Sequence, residues 1–390
     1  MTRPFAAALG LAAALVAAPA APAQPPPDPR LAKVFADWDA RRERVVGVRY
    51  VLEGERVHFK ERTYDPMPLQ PDQRWVPAAD VTVRKRRTVV FDFPRNRFRT
   101  EVDDEHFVFP AGPVYRTSDV NTFDRGVRKY WNRRAAEDRA ADPGGVPHAD
   151  IWIVKGGQSA FAGFDVVMIP LFLAHGNVEV GGAAVIPGRL KVRPDPALFT
   201  VHREARHDGR PVLVLRTRPE RGVLDELWVD PAREHVIVRD IRLGDEEPSS
   251  DLTIRYQQTA AGWLPEGWEE SFFEMKRVSD TTRVRVAQLT LDPAPADATF
   301  DIPARPGMLV FETTNRDHGL RVAPPGERSP VLHYRADACG VLRPIEFRDG
   351  VAVEVPWRAA PAGEPRAVRP RVRPHFGHFR RDWRRVPPGA

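Results

Sequence analysis

The sequence predicts a mainly β protein with a helix near its N-terminus, and three observations support this prediction. Proline makes up 40 of the 390 residues, about twice its usual share, and proline breaks helix interiors. Hydrophobic residues account for 42% of the chain, which suits a large globular core. From residue 81 to residue 291, apolar and polar residues alternate in many short segments. This period of two is typical of antiparallel strands with one buried face.

The predicted helix follows a proline-rich spacer at residues 24–29. Asp28 can cap it, and Pro29 suits its first turn. Its apolar stripe recurs at helical spacing and consists of Leu31, Val34, Phe35 and Trp38. Three basic residues near its end would complement the negative pole of the helix dipole, namely Arg41, Arg42 and Arg44.

Eight segments of period two predict strands, at 81–93, 97–102, 212–217, 223–229, 236–241, 252–256, 268–275 and 283–291. Turn sequences separate several of them, namely Asp208-Gly209, Asp230-Pro231 and Ala261-Gly262. In the first segment, Lys85 and Arg87 occupy apolar positions, so a turn could divide it into two strands. Many short strands at this spacing favour a sandwich, a barrel or a strongly curved sheet.

Three further regions depart from this rhythm. Residues 161–173 form an almost continuous apolar run, which suits either a short helix pair covering an open sheet or a buried strand. Residues 313–355 have a mixed composition and form a C-terminal extension in which a few short strands remain an option. Residues 356–390 are rich in Pro and Arg with little apolar pattern, which predicts a disordered tail.

Residues 1–23 have the features of a signal peptide. Arg3 precedes an apolar run of 14 residues at 5–18, and Ala21-Pro22-Ala23 supplies a small-x-small cleavage pattern. A spanning helix needs about 20 apolar residues, and no later stretch reaches that length. We therefore predict cleavage after Ala23, export to the periplasm or beyond, and no transmembrane helix in the mature chain. A retained membrane anchor is the disfavoured alternative.

The positive charge of the chain is local. The net charge is +6, but nine Arg oppose two acidic residues from Arg358 onward, and without this tail and Arg3 the chain carries −2. Three aromatic residues interleave with these Arg, namely Phe376, Phe379 and Trp383. An anionic envelope surface is the partner that this pattern favours, whereas nucleic acid is not expected for an exported protein. A merely solubilising tail is the alternative.

No motif predicts catalysis. The chain has no Gly-x-Ser-x-Gly elbow and no glycine-rich phosphate loop, and its His residues are scattered. The acidic clusters at 103–105 and 245–247 are predicted to lie in solvated turns, while Glu269 and Glu270 would point to opposite faces of a strand. The single Cys339 excludes an intramolecular disulfide and is predicted to be a buried thiol. We therefore predict no enzymatic activity, no cofactor and no metal site.

Five segments resemble, in chain order, segments of the LolA-like periplasmic lipoprotein carriers. The segment FDFPRNRFRTEV at 91–102 is similar to their strand signature of Pro, Asn, aromatic and basic residues. The other four segments are 121–131, 226–243, 254–273 and 291–312. The resemblance covers residues 30–312, and the long, arginine-rich form also resembles secreted members of that superfamily from planctomycete-type bacteria.

The resemblance implies a half-open β-barrel with a helical lid, whose concave face holds the acyl chains of a lipid or an acylated protein. The side chains that this would place in the cavity are Phe91, Phe93, Phe98, Val102, Phe107, Trp131, Phe172 and Leu173. The alternative is that they fill a closed core. The carriers have a basic residue just before the Pro of the strand signature, which helps to latch the lid. Here that position is Phe93, and Arg95 is the candidate latch.

Three functional hypotheses follow. The leading one is an exported, non-enzymatic protein that binds a lipid or a lipoprotein through its acyl chains. The alternative is an envelope scaffold or stress-sensing protein that uses the same fold to bind a protein partner. A third hypothesis, an unrecognised hydrolase, would need a polar pocket that brings His and Asp side chains together.

Overall fold

The computed structural model describes residues 28–60, 62, 77, 79–107, 114–133, 149–155, 168–176, 194–218, 223–244, 247–292, 294–314, 331–348 and 351–355. The predicted signal peptide, the spacer up to residue 27 and the predicted tail at 356–390 lie outside the described residues. The first part of the apolar run, at 161–167, lies outside them as well.

Helix α1 spans Pro29–Arg44 and begins as predicted. The Asp28 side chain accepts a hydrogen bond from the Arg30 amide at 2.9 Å, and Pro29 occupies the first turn. The whole predicted apolar stripe is buried, and Trp38 is fully inaccessible to solvent. Arg41 and Arg42 are also buried, because they donate hydrogen bonds inside the protein rather than facing the solvent at the helix end.

Seventeen strands form the sheet within the described residues. They are β1 Gly47–His58, β2 Val81–Asp92, β3 Arg97–Phe107, β4 Val114–Asp124, β5 Val127–Asn132, β6 Ile151–Lys155, β7 Phe199–His207, β8 Arg210–Thr217, β9 Val223–Asp230, β10 Val236–Gly244, β11 Glu247–Thr259, β12 Gly262–Glu274, β13 Arg277–Leu291, β14 Leu309–Thr314, β15 Val331–Ala336, β16 Leu342–Arg348 and β17 Val351–Glu354.

The spatial order of the strands places the first strand in the middle of the sheet. It runs β7-β8-β9-β10-β11-β12-β13-β1-β2-β3-β4-β5-β6-β14-β15-β16-β17, and all neighbours are antiparallel except the parallel pair β6–β14. The sheet is curved and unclosed, and it carries few helices. The predicted mainly β fold, a curved antiparallel sheet of the half-barrel type, is therefore confirmed.

The C-terminal extension continues this sheet. Strand β14 pairs with β6 and carries the antiparallel strands β15 and β16. The domain boundary that the sequence predicts after residue 312 falls inside β14, whose last residues are Thr313 and Thr314. Cys339 lies between β15 and β16 and is exposed, so the prediction of a buried thiol is wrong.

Strand β2 corrects two predictions at once. It is continuous from Val81 to Asp92, so no turn divides it at Lys85 and Arg87. Both of these side chains are buried, because they meet the carboxylate of Asp104 on the neighbouring β3. The acidic cluster at 103–105 therefore lies in a strand rather than in a solvated turn, and Asp104 is inaccessible to solvent.

The predicted turns lie between strands as expected. Asp208 and Gly209 both have positive φ, at 49° and 77°, in the hairpin that joins β7 to β8. Asp230 accepts a hydrogen bond from the Ala232 amide at 2.9 Å and caps a short 3-10 turn before β10. Gly262 has φ 96° at the turn between β11 and β12.

The second helix, α2, spans Ile169–Ala174 and comes from the predicted apolar run. It shares the largest core with α1 and with side chains of β1–β4 and β7–β13. We call the side of the sheet that faces this core the helix-bearing face. A separate cluster forms around Val120, Ile151 and Val310. Among the described residues, no helix is both long enough and apolar enough to cross a membrane.

Candidate ligand-binding face

A short segment covers part of the helix-bearing face, and we call residues 168–176 the lid. Its helix α2 packs on β10 and β12. The Phe172 ring lies edge-on to the Phe91 ring of β2, with 5.4 Å between their centroids. A hydrogen bond of 3.0 Å joins Nε2 of His175 to the Tyr50 hydroxyl, and both residues are buried. The lid therefore occupies the position that the sequence assigns to a helical cover.

Two buried arginines of α1 hold the end of the lid. Arg41 donates from Nη1 to the carbonyl oxygen of Ala174 at 3.3 Å, and Arg42 donates from Nη1 to that of Gly176 at 3.0 Å. These carbonyls belong to the last turn of α2 and the residues after it, which lack partners inside the helix. Burial lowers the pKa of Arg41 from its ordinary value. We call this arrangement the arginine clasp.

The residue that the sequence assigns as the latch has other partners. Arg95 is more than half exposed and forms ion pairs with Asp92 at 3.7 Å and Asp297 at 3.6 Å. Phe93 occupies the position where the carriers have a basic residue, and its ring lies 4.8 Å from the ring of His175 in the lid. At this position an aromatic contact therefore joins the sheet to the lid, while the arginine clasp supplies the hydrogen bonds.

Most of the predicted cavity residues lie together. Those that belong to the largest core, each at most 5% exposed, are Phe91, Phe93, Phe98, Phe172 and Leu173. With the lid in place, these five side chains fill that core. Val102 lies four residues after Phe98 in β3, so its side chain points to the same face, and it is half-buried. Phe107 lies at the end of β3, where its ring is 6.0 Å from the His58 ring.

Trp131 differs from the other predicted cavity residues. Phe98 pairs with Phe123 across β3 and β4, and Val120 is three positions from Phe123, so Val120 points to the opposite face. Trp131 pairs with Val120 and packs on the separate cluster around it. Trp131 therefore does not line the helix-bearing face, because the strand register places it on the other side of the sheet.

Beside the lid, the helix-bearing face is apolar. We call its sheet residues Tyr50, Phe91, Phe93, Ile254 and Trp268, with the lid above them, the apolar zone. All five are at most 5% exposed. The next row along the strands carries polar side chains, and the sequence analysis did not identify it as a site.

This next row crosses five neighbouring strands and carries polar side chains. Asp240 pairs with Leu252, Leu252 with Glu270, Glu270 with Thr282, and Thr282 with Arg56, so all lie side by side on one face. We call Asp240, Glu270, Thr282 and Arg56 the polar row. The exposed fractions of Asp240, Glu270 and Thr282 are 8%, 4% and 1%.

Two ion pairs border the polar row. Arg56 donates from Nε to Asp280 at 2.7 Å, and Arg242 donates from Nε to Asp225 at 3.1 Å. Asp280 and Asp225 are therefore both matched by an arginine. The carboxyls of Asp240 and Glu270 have no such match among the described residues.

Several buried polar atoms of this region have no hydrogen-bond partner within the part of the chain that the structure describes. They are Oδ1 of Asp240, Oε2 of Glu270, Oγ1 of Thr282, Nε1 of Trp268 and Nδ1 of His58. Buried polar atoms in proteins nearly always have a partner, and an unpaired one costs about 1–3 kcal/mol. A group of five on adjacent positions of one face therefore marks a place that a polar group could occupy.

Burial changes the protonation of the two unmatched carboxyls. It raises the pKa of Glu270 to about 8, with the Asp240 carboxyl adding to the effect and Arg242 and Arg56 opposing it. Burial also raises the pKa of Asp240, and the nearby Asp225 carboxylate raises it further. Both carboxyls therefore keep a proton well above the pH at which an exposed carboxyl ionises. They can donate a hydrogen bond as well as accept one.

One part of this site had a signal in the sequence. Glu269 and Glu270 point to opposite faces of β12, as predicted. Glu269 accepts from Arg283 at 2.9 Å with a 43% exposed side chain, whereas Glu270 is buried. The described residues contain no group of three or more His, Cys, Asp or Glu side chains placed to hold a metal ion.

Comparisons with known proteins add a likeness in fold. No protein-family model matches the sequence, and no curated protein matches it. The chain is similar to a putative outer membrane lipoprotein-sorting protein domain from Vibrio parahaemolyticus, at 12% identity and a TM-score of 0.38, over 70% of this chain and 97% of that one.

Two further solved structures are similar over long stretches. LprF from Mycobacterium bovis matches at 11% identity and a TM-score of 0.24, over 69% of this chain and 99% of that chain. The complex of MucA and MucB from Pseudomonas aeruginosa matches at 13% identity and a TM-score of 0.22, over 78% of this chain and 76% of that chain. At such TM-scores these likenesses carry no functional argument, so the proposals that follow rest on the residues of this chain.

Proposed function

We propose that this protein is an exported, non-enzymatic protein that binds the acyl chains of a lipid or an acylated protein on its helix-bearing face. The observation that carries the proposal is the lid. It lays the apolar helix α2 on the aromatic side chains of β1 and β2, and it is joined to them by contacts that can be broken and remade.

The lid is suited to reversible displacement. A helix of six residues is too short to be stable alone in water, so α2 keeps its shape through contacts with the rest of the protein. An acyl chain offers the same apolar surface that Phe172 and Leu173 provide. Each buried CH₂ group contributes about 0.8 kcal/mol, so a chain of ordinary length can offset the loss of the lid contacts.

Opening the lid must break hydrogen bonds and ring contacts and must expose the apolar side chains of the lid. The hydrogen bonds include the arginine clasp and the bond between Tyr50 and His175, and the ring contacts include those of Phe93 with His175 and of Phe91 with Phe172. A hydrogen bond of this kind contributes about 0.5–3 kcal/mol net. Opening the lid therefore requires no unfolding of the sheet, and acyl binding requires no catalytic group.

The experiment is native mass spectrometry of the protein purified gently from an envelope fraction, with lipid extraction alongside. We expect an acyl ligand to co-purify, and we expect the double variant Phe93→Asp/Phe172→Asp to lose it. Met275→Asp is the matched control, because Met275 is 58% exposed and outside the core. A ligand-free mass, together with no uptake of added lipid by protein shown to be folded by circular dichroism, would overturn the proposal.

We also propose that the tail at 356–390 attracts the protein to an anionic envelope surface. Its surplus of arginine and its interleaved aromatic residues support this, since each basic residue near an anionic membrane contributes about 1 kcal/mol. Sedimentation with vesicles of anionic and of neutral lipid checks it. The full chain should bind the anionic vesicles, and a chain ending at residue 355 should not. Equal binding of both chains would contradict the role of the tail.

A further inference from the structure

We propose that the polar row is a binding site for a primary ammonium group, carried by an amphiphilic ligand whose chain lies in the apolar zone. This inference rests on the proposed function and names the chemistry of the ligand's head. Its basis is the juxtaposition of unmatched carboxyls, unpaired buried atoms and an adjoining apolar surface on one face of the sheet.

The two zones are continuous along the strands. Trp268 of the apolar zone and Glu270 of the polar row lie two residues apart on β12, so their side chains are neighbours on the same face. Ile254 and Leu252 have the same relation on β11. A ligand chain over Ile254 and Trp268 would therefore bring its head to Asp240 and Glu270.

The charges of the polar row and its border favour a cation. Four carboxyls face two guanidinium groups, and Arg56 and Arg242 are matched to Asp280 and Asp225. The excess belongs to Asp240 and Glu270, which are more than nine-tenths buried. A bound cation is balanced by these two carboxyls when they ionise, whereas an anion would keep both of them protonated and gain no opposite charge there.

The unpaired atoms indicate an ammonium rather than a metal ion. An ammonium group has three hydrogen-bond donors, and the polar row holds three unpaired oxygen atoms, on Asp240, Glu270 and Thr282. Asp240 and Glu270 are two strands apart, about 10 Å between Cα atoms at the usual strand spacing, so a small cation above Leu252 lies between their carboxyls. A metal ion needs more ligands than the described residues offer here.

Binding of the ammonium should release protons. The free carboxyls of Asp240 and Glu270 hold protons at neutral pH because burial raises the pKa of both. The charged groups that influence them are Asp225, Arg242, Asp251, Asp280 and Arg56. His58 lies beside Asp280, and burial lowers the pKa of this His, so it stays neutral. Beyond Arg56 on the same face, Lys85 and Arg87 meet Asp104. A bound cation favours the ionised carboxylates. Affinity for the ammonium should therefore rise with pH up to about 8.

The experiment compares three probes with the same chain, namely dodecylamine, 1-dodecanol and dodecanoate, by isothermal titration calorimetry below their aggregation limits. For the unmodified protein at pH 7 we expect dodecylamine to bind about tenfold or more tightly than dodecanol, as for other charge-assisted hydrogen bonds. Dodecanoate should bind most weakly. Titration in two buffers with different ionisation enthalpies should show proton release with dodecylamine alone.

The variants separate the polar row from general surface charge. Asp240→Asn/Glu270→Gln should keep dodecanol binding but lose both the preference for dodecylamine and the proton release. Glu269→Gln is the matched control, since Glu269 is the adjacent residue on the opposite face and should leave the preference unchanged. The proton release by the unmodified protein tests the site even where the double variant fails to fold.

Three results would overturn the inference. Equal affinity of the unmodified protein for dodecylamine and dodecanol would refute the ammonium site while leaving the acyl-binding face in place. Loss of the preference in Glu269→Gln would assign it to surface charge. No binding of any of the three probes would refute the proposed function itself, and the ammonium site with it.

Discussion

The apolar zone and the polar row lie on one face of the same strands, yet they differ in how well their polar groups are matched. In the apolar zone, the carbonyls at the end of the lid accept from Arg41 and Arg42, and the Tyr50 hydroxyl meets His175. The exception among its sheet residues is Nε1 of Trp268, which borders the polar row. In the polar row, carboxyl and hydroxyl oxygens are buried without a partner among the described residues. The contacts of the apolar zone therefore stabilise the fold. The unpaired atoms of the polar row lower the free energy of unfolding, and a bound group that pairs with them would remove this loss.

The largest expected effect is on the free energy of unfolding when one buried side chain is replaced. Trp38 of α1 is fully buried beside the end of the lid, where its ring packs on Phe35 and Phe199. Its Nε1 donates to the carbonyl of His235 at 2.7 Å. Trp38→Ala should lower the free energy of unfolding by about 3–5 kcal/mol, because it leaves a cavity and an unpaired carbonyl. Urea unfolding followed by circular dichroism measures it.

The comparison variant in the polar row is Thr282→Val, which keeps the shape of the side chain and removes the unpaired hydroxyl. It should leave the free energy of unfolding unchanged within about 0.5 kcal/mol or raise it, since no hydrogen bond is lost. A loss comparable with that of Trp38→Ala would show that Thr282 already has a partner, and it would remove the contrast between the zones.

The second prediction concerns pH. Glu270 in the folded protein keeps its proton up to about pH 8, whereas a carboxyl in the unfolded chain loses it near about 4.3. Between these values the folded state binds more protons, so the free energy of unfolding should fall as pH rises from about 5 to about 8. The contribution is on the order of 1–3 kcal/mol. Urea unfolding at several pH values measures it.

The variants for this prediction are Glu270→Gln alone and, as before, Glu269→Gln. The first should reduce the fall in the free energy of unfolding between pH 5 and pH 8, because the buried amide does not titrate, and the part that remains belongs to Asp240. The second should keep the slope of the unmodified protein, since Glu269 is half-exposed and paired with Arg283. Identical slopes in all three proteins would contradict the raised pKa of Glu270.

The sequence could predict the elements whose signals are local. The cap at Asp28 and the stripe through Trp38 predicted α1, and the Asp208-Gly209 pair predicted a hairpin. Lys85 and Arg87 were misread as a break because their partner, Asp104, belongs to the next strand, 17 residues beyond Arg87. Burial of a charge depends on what lies across the sheet, and the period of one strand does not contain that information.

The same reason explains which parts of the candidate site could be predicted. Phe91, Phe93 and Phe172 could be recognised as buried because large apolar side chains mark a core wherever it lies, while their role in lining a ligand cavity stays a prediction. Trp131 was placed on the wrong face because the register between β3, β4 and β5 decides its direction. The polar row was missed because Asp240 and Glu270 come from strands β10 and β12, and only the pairing of both with Leu252 joins them.

The third prediction tests the arginine clasp. Arg42→Gln should lower the free energy of unfolding by about 1–2 kcal/mol, because the shorter, neutral side chain cannot reach the carbonyl of Gly176. It should also speed amide hydrogen exchange in the lid. Arg44→Gln is the control on the same helix, since Arg44 is 41% exposed and pairs with Glu234 away from the lid. Equal exchange in both variants would show that the clasp does not hold the lid.

The smallest expected effect comes from Tyr50→Phe, which removes one hydroxyl and keeps the ring. The loss of the bond to His175 should lower the free energy of unfolding by about 0.5–1.5 kcal/mol. Because the bond joins the sheet to the lid, its loss should also make the lid open more often, so dodecanol should enter faster. Stopped-flow binding measures the rate. A variant that loses stability but takes up dodecanol at the rate of the unmodified protein would contradict this role of the Tyr50 bond. It would show that the lid opens at the arginine clasp alone, and that the Tyr50 bond does not have to break when the ligand enters.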